Sequence, residues 1–339
     1  MPSKIKKVYR LVFGVIGLGV LSFLAFLAFS LRPGVSPQTL APSAVLHFPQ
    51  YAASTPNEKS RRVKVVTYNI GYASGIKNNQ GAVLLPEEIQ KNLDEIASVL
   101  ETLDADIVLL QEVDFFSARS FKTNQLTYLA DKLKMPYAAY AVTWNKRYVA
   151  WPYWPPKRHF GRTVSGQGVL SRHPILEQKI TVLPKPEDNP FWYNWFYLDR
   201  VIQSLSIQVG ETACSVYHLH LEAFSAETRK QQWQRLIEAV TQDDNPVKIA
   251  AGDFNEPWRA VGLPEAELNA SQQLLTNFAS AAPMKMAQKE PGQYTFPSSN
   301  PQEDIDHIFY SDSLELKDEG VVTGILASDH LPFWALLEK

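Results

Sequence analysis

Six short segments of this 339-residue chain carry side chains able to handle protons, phosphate or metal ions. Asn69 closes the run VKVVTYN, Glu112 follows DIVLLQ, and His218 and His220 sit in YHLHLEA. Asp253 and Asn255 lie in GDFNEPW, Asp306 and His307 in DIDHIFY, and Asp329 and His330 in SDHLPFW. Any one of these carboxylates alone reads as a turn or capping residue. Their joint placement at the ends of strand-like runs suggests more, because loops leaving one sheet converge on one rim. Oxygen donors of this kind suit Mg²⁺, with Mn²⁺ the alternative, since both hard ions prefer carboxylate, amide oxygen and water. A zinc site would call for more His or Cys, yet HExxH is absent and Cys214 is the single cysteine. With no GxSxG or P-loop motif, attack by water rather than by a side-chain nucleophile is expected.

The elements that must position these groups follow from residue patterning. Val63–Asn69 is a β-branched run and reads as a buried strand. Pro86 opens a helix with Glu87 and Glu88 in its first turn, where the dipole favours acids. Its apolar positions Ile89, Leu93, Ile96, Leu100 and Leu103 recur at three- and four-residue steps. Asp106–Gln111 is a second strand, a helix covers about 122–134, and further strands lie near 138–143 and 166–171. Strands at 199–208 and 213–221 form a hairpin across Gly210, and Ser225 caps a helix whose inner face is Trp233, Leu236, Ile237 and Val240. Val247–Ala251, 305–310 and 331–337 complete the set. The mixture predicts an α/β (α+β) domain over 62–339, a four-layer sandwich of two mostly antiparallel sheets packed face to face and flanked by helices.

Taken in order, TYNIG, LLQEVD, SGQGVLSRHPI, YHLHLEA, AAGDFNEPW, DIDHIFY and SDHLPFW resemble the endonuclease/exonuclease/phosphatase superfamily, closest in style to its sphingomyelinase and DNase I branches. The resemblance runs from about Val63 to Leu337 and implies a DNase I-like fold, metal-dependent phosphoester hydrolysis and a set of residue roles. It implies that Glu112 binds metal with Asn69 beside it and Asp329 near it. Asp253 and Asn255 would orient the attacking water and bind phosphate or metal. His330 would be the catalytic histidine, its ring held by Asp306. His220, rather than His218, aligns with the catalytic HLEA histidine, although both point to one face of a strand.

These implied roles make physical sense. A phosphodiester is anionic and repels a nucleophile, so the site must neutralise charge and aim a water in line. An Asp–His pair fixes the imidazole tautomer and raises its basicity, and His220 would donate to phosphoryl oxygens or the leaving group. His47, His159, His173 and His307 read as structural or surface groups. Arg172 and Arg200 could contact phosphate but read more readily as structural ion pairs, and stay outside the expected catalytic set.

Leu11–Leu31 is a 21-residue run without a charge. At about 1.5 Å per residue a helix of that length spans roughly 30 Å, a bilayer core. Four basic residues precede it and only Arg32 follows closely, so residues 1–10 are expected to be a short cytoplasmic segment and the rest to lie outside the cell or in the periplasm. An uncleaved single-pass anchor is the favoured reading; Ala28-Phe29-Ser30 offers a cleavage site to the competing signal-peptide reading. Residues 32–61, with five prolines and no strand or helix periodicity, read as a tether.

Charge narrows the partner. Residues 1–62 hold eight basic side chains and one acid, leaving 25 basic and 34 acidic residues in 63–339, a net of about −9. Such a surface disfavours nucleic acid, which needs basic groups to displace counterions. Two stretches are rich in aromatics: 137–160, and FWYNWFY at 191–197. Trp and Tyr favour membrane interfaces, so these loops could admit a lipid headgroup, or else fill gaps between layers. The cluster Asn145-Lys146-Arg147 could meet an anionic headgroup or form a solvated turn. The expectation is therefore a monomeric, membrane-anchored, Mg²⁺-dependent phosphoesterase acting on a phospholipid, sphingolipid or related headgroup. An exported DNase I-like nuclease and a catalytically silent phosphate- or lipid-binding module are the alternatives.

Overall fold

A computed structural model describes residues 2–54, 61–78 and 80–339. Helix α1 (Pro2–Leu31) and strand β1 (Ser43–His47) lead into β2 (Arg62–Asn69), α2 (Pro86–Leu103), β3 (Ile107–Asp114), α3 (Gln125–Leu133), β4 (Tyr137–Val149) and β5 (Gly161–Ser171). There follow β6 (Ile175–Val182), the single-turn α4 (Phe191–Asn194), β7 (Val201–Val209), β8 (Thr212–His220), α5 (Ala226–Thr241) and β9 (Lys248–Asp253). The chain closes with α6 (Glu265–Ala281), β10 (Met284–Met286), β11 (Asp306–Ser311), β12 (Glu315–Val321) and β13 (Phe333–Glu338).

The strands make two mixed sheets, ordered β1-β4-β5-β3-β2-β13-β12 and β10-β11-β9-β8-β7-β6. All neighbours are antiparallel except β2–β3 and β8–β9. Period-two alternation divides each strand between two cores. Val63, Val65, Ile107 and Leu109 face Val216, Ile249, Ala251 and Ile308 across the inter-sheet core. Val66, Tyr68, Val108 and Leu110 face outward instead, under Ile89, Leu93, Ile96 and Leu100 of α2. On the other side, α5 and α6 cover the six-stranded sheet with Trp233, Leu236, Leu275 and Phe278. Trp233 stacks on Phe254 at 4.9 Å and is enclosed, so its truncation to Ala should cost about 3–5 kcal/mol. This is the DNase I-like four-layer arrangement.

Local signals act where residue chemistry puts them. Pro86 occupies the first turn of α2, and Glu88 Oε2 accepts the Leu85 N–H at 2.8 Å. Ser225 caps α5 by accepting the Thr228 N–H at 3.3 Å, and Gly210 turns the β7–β8 hairpin at φ 58°.

Two expectations need correction. The stretch 32–61 is not a plain tether: Ser43–His47 forms β1, pairing antiparallel with Ala141 to Tyr137 of β4, and Pro49–Ser54 forms a 3-10 turn. The strand extends an existing sheet edge, so tertiary pairing overrides a proline-rich context; residues 55–60 of this stretch lie outside the described residues. Asn145-Lys146-Arg147 is not a solvated turn but part of β4, and its asparagine is bonded to the chain that follows α1. The Val35 N–H donates to Asn145 Oδ1 at 3.1 Å, and Asn145 Nδ2 donates to the Val35 carbonyl at 3.0 Å. Helix α1 itself is long and apolar enough to cross a membrane over Ile5–Leu31. The aromatic stretch 137–160 divides: Tyr140 and Trp144 are buried, whereas Tyr153 and Trp154 stand exposed.

Candidate active site

The two parallel pairs bring the polar groups to one rim. The β2–β3 register sets Asn69 beside Gln111, and the β8–β9 register sets His220 beside Asp253. Four strands therefore end at the same edge. The antiparallel neighbours begin there: Asp306 opens β11 opposite Asp253, and Asp329 and His330 lie just before β13, which pairs with β2. All eight residues expected from sequence reach this rim: Asn69, Glu112, His220, Asp253, Asn255, Asp306, Asp329 and His330.

Asp253 is the hub. Its Oδ2 accepts from Asn69 Nδ2 at 3.0 Å and lies 3.4 Å from His220 Nε2 and 3.7 Å from His330 Nε2. Its Oδ1 accepts the Asn255 N–H at 2.9 Å, while Asn255 Nδ2 donates to the Leu221 carbonyl at 3.0 Å. Asn255 adopts φ 49°, an uncommon conformation that local side-chain bonding of Asn tolerates. His330 Nδ1 meets Asp306 Oδ2 at 2.9 Å, and the other oxygen of the buried Asp306 carboxylate has no partner among the described residues. Asn69 is locked at both ends, its Oδ1 accepting the Gly71 N–H at 3.0 Å.

Electrostatics divides the two histidines. Burial alone would push His330 down, but Asp306 and Asp253 outweigh it and hold its pKa above the ordinary value. Burial pushes His220 well down, with Arg200 and His330 adding to the effect. Burial raises the Asp253 carboxyl, reinforced by Asp306 and opposed by His330.

Glu112 and Asp329 form a second group. Pairing of β3 with β5 shifts between Leu110 and Val113, so two β3 residues oppose one, and Glu112 at φ 52° turns out of the ladder toward the rim. One amide serves both acids: Asn78 Nδ2 donates to Glu112 Oε2 at 2.9 Å and lies 3.2 Å from each Asp329 oxygen. Burial and the Asp329 charge both raise Glu112. Gly71, at φ 51°, lets the chain pass here, since a Cβ would stand 2.8 Å from Asp329 Oδ1. Two acids crowded around one amide, with oxygen donors only, fit a hard divalent cation. Asp253, Asp306 and His330 also offer ligand atoms within 4.8 Å of one another. There, however, His330 Nδ1 is committed to Asp306, and its Nε2 lies 3.5 Å from Asn69 Nδ2. Glu112 and Asp329 thus present carboxylates with no histidine partner among the described residues, whereas the second cluster joins two carboxylates to His330.

Sequence reasoning missed Asn78, which has no motif around it, and set aside Arg200. Arg200 is buried and lines the site cavity; its Nε stands 3.9 Å from Glu222 Oε2, and its Nε and Nη1 have no hydrogen-bond partner among the described residues. The type alone could not distinguish it from Arg172, which pairs with Asp104 at the surface. His218 sits one step behind His220, fully buried between the sheets, meeting Gln111 Nε2 at 2.8 Å and Gln203 Oε1 at 3.0 Å. His307 is buried with Nε2 2.8 Å from the Glu256 carbonyl.

The sequence profile of the Endonuclease/Exonuclease/phosphatase family matches residues 66–330, most of the chain and every residue of the rim. The chain belongs to this family. Solved relatives share the fold. An endonuclease/exonuclease/phosphatase from Beutenbergia cavernae is 22% identical with a TM-score of 0.60, the match covering 82% of this chain and 72% of that one. A mannosyl-6-phosphatase from Bacteroides thetaiotaomicron is 18% identical with a TM-score of 0.56, covering 82% and 100%. The catalytic domain of human Nocturnin, solved with a bound sulfate, is 18% identical with a TM-score of 0.56, covering 91% and 99%. No match is found among curated proteins.

Proposed function

We propose that this chain is a metal-dependent phosphoester hydrolase acting on a lipid headgroup, anchored by α1 with its catalytic domain outside the cytoplasm. One observation carries the reading: the family's polar residues form the floor of a cavity of about 1900 Å³ whose upper walls are aromatic. Among those walls are Trp151, Tyr153, Phe191 and Trp192, together with Phe23 and Phe26 of α1. A groove for nucleic acid would pair such aromatics with a track of basic groups, whereas the only Lys or Arg side chains among the described residues lining this cavity are Arg200 and Arg229. An apolar collar above a polar floor suits a molecule with an anionic head and an apolar body.

Glu112 and Asp329 would hold Mg²⁺ or Mn²⁺, which when bound draws charge from a phosphoryl oxygen and from the leaving oxygen. Asp253, its carboxyl raised by burial, would orient the attacking water and accept its proton. Asn69 and the Asn255 N–H hold that carboxylate in place. His330, kept protonated by Asp306, donates from Nε2 to the phosphoryl group as negative charge develops. His220 supplies a neutral N–H to the same centre, and Arg200 adds a fixed positive charge at the cavity wall.

The test incubates the full chain, reconstituted in mixed phospholipid and sphingomyelin vesicles with Mg²⁺, and measures release of headgroup or phosphate. Plasmid DNA serves as the competing substrate and His330→Ala as the blank. Lipid turnover absent from the variant supports the proposal. DNA cleavage with inert lipid overturns it in favour of a nuclease.

A further inference from the structure

We infer that the last turns of α1 are part of the substrate site, holding the mouth of the cavity at the depth of the outer leaflet so that a membrane lipid enters from the side. The inference rests on the lipid-phosphoesterase reading and says how the lipid arrives.

The junction between helix and domain is short and clipped. Arg147 N–H donates to the Arg32 carbonyl at 2.6 Å, and Asn145 pairs with both the N–H and the carbonyl of Val35. Val35 is buried in the core under the seven-stranded sheet. Gly34 permits this approach: a Cβ there would stand 2.8 Å from the Lys146 carbonyl oxygen and 2.8 Å from a Val164 methyl. No free linker therefore separates Leu31 from β4, and Phe26 packs edge-on against Tyr148 of β4 with centroids 5.7 Å apart.

This fixes a depth. From Phe23 to Leu31 a helix rises about 12 Å. With Leu11–Leu31 set across a hydrocarbon core of about 30 Å, Phe23 falls near the middle of the bilayer and Leu31 at its outer surface. Phe23, Phe26, Leu27 and Ser30 nevertheless line the same cavity as His330 and Asp253. The Ser30 hydroxyl is buried there without a hydrogen-bond partner among the described residues. Among the cavity's lining residues, Tyr153 is 61% exposed, Phe191 70% and Phe224 87%. Large aromatics exposed beside a spanning helix belong at the interface. The occupant that fits is a phospholipid or sphingolipid whose chains lie along α1 while its phosphate reaches the polar floor.

Two readouts test this on the full chain in phosphatidylcholine–sphingomyelin vesicles. The first is quenching of tryptophan fluorescence by phosphatidylcholine with brominated chains. The second compares hydrolysis of vesicle lipid with that of water-soluble bis(p-nitrophenyl) phosphate. Asn145→Ala and Gly34→Val, which loosen the clip without touching the polar floor, should lower lipid hydrolysis at least tenfold. They should leave the soluble ester within about twofold and reduce the quenching. Equal effects on both substrates, or none on either, overturn the inference, as does a wild-type protein whose tryptophans are not quenched. Quenching that falls in the variants while neither ester is hydrolysed sinks the enzymatic reading and supports the docked helix.

Discussion

Asp306 Oδ2 and His330 Nδ1 lie 2.9 Å apart although 24 residues separate them, because Asp306 opens β11 on one sheet and His330 precedes β13 on the other. The bond ties the two sheets together at the rim and sets the tautomer of the ring. Replacing Asp306 with Asn keeps the shape but removes the charge that holds His330 protonated. Asp306→Asn should therefore lower kcat by about 10²–10⁴-fold with little change in KM, measured by steady-state kinetics on whichever phosphoester the chain hydrolyses.

Glu112 and Asp329 share a single amide donor, so removing one charge weakens attraction for a cation while relieving their repulsion. Glu112→Gln should raise the Mg²⁺ concentration for half-maximal activity about tenfold or more. Thermal stability without metal should stay equal or rise. Mg²⁺ titrations of activity and melting curves in EDTA check both halves, and an unchanged metal requirement would move the cation elsewhere.

Arg200 stands against Glu222, whose carboxylate is fully buried and accepts from Tyr197 Oη at 2.7 Å. Arg200→Ala strands that carboxylate and should cost about 3–5 kcal/mol of stability as well as activity. Adding Glu222→Gln should return much of the stability and none of the turnover. Denaturation of the single and double variants separates the two roles; joint recovery of both would make Arg200 a purely structural residue.

His218 is held neutral between the sheets, its pKa pushed down by burial to about 3. The unfolded chain takes up the proton near the ordinary value of about 6.5, so between these limits it binds more protons than the folded chain. The stability this ring contributes is complete above about pH 6.5 and is lost as pH falls toward 3, by up to about 1.4 kcal/mol per unit. Urea melts of the solubilised chain at pH 7, 6, 5 and 4 should show a shallower loss in His218→Gln. A slope identical to wild type would mean that His218 is not buried as a neutral ring.

Much of this protein is legible before folding because local chemistry and periodicity carry it. The apolar run before Arg32, the three- and four-residue apolar steps of α2, the Ser225 cap and the β-branched strand of Asn69 act within a few residues of themselves. The rim residues are legible as well, since polar groups closing apolar strands must emerge where the strands end.

Only the tertiary structure decided how those groups are placed relative to one another. His218 and His220 share a face, and the depth of the opposing sheet leaves one in a dry inter-sheet bond and the other at the rim. Arg200 and Arg172 look alike in sequence; the nearest acid is buried for one and exposed for the other. Glu112 reaches Asn78, which it shares with Asp329, through a bulge against β5, and β1 exists because β4 offered an unpaired edge. The join of α1 to the domain depends on Asn145 meeting a backbone 110 residues away. These are long-range contacts, and their energies come from partners that no local window of sequence contains.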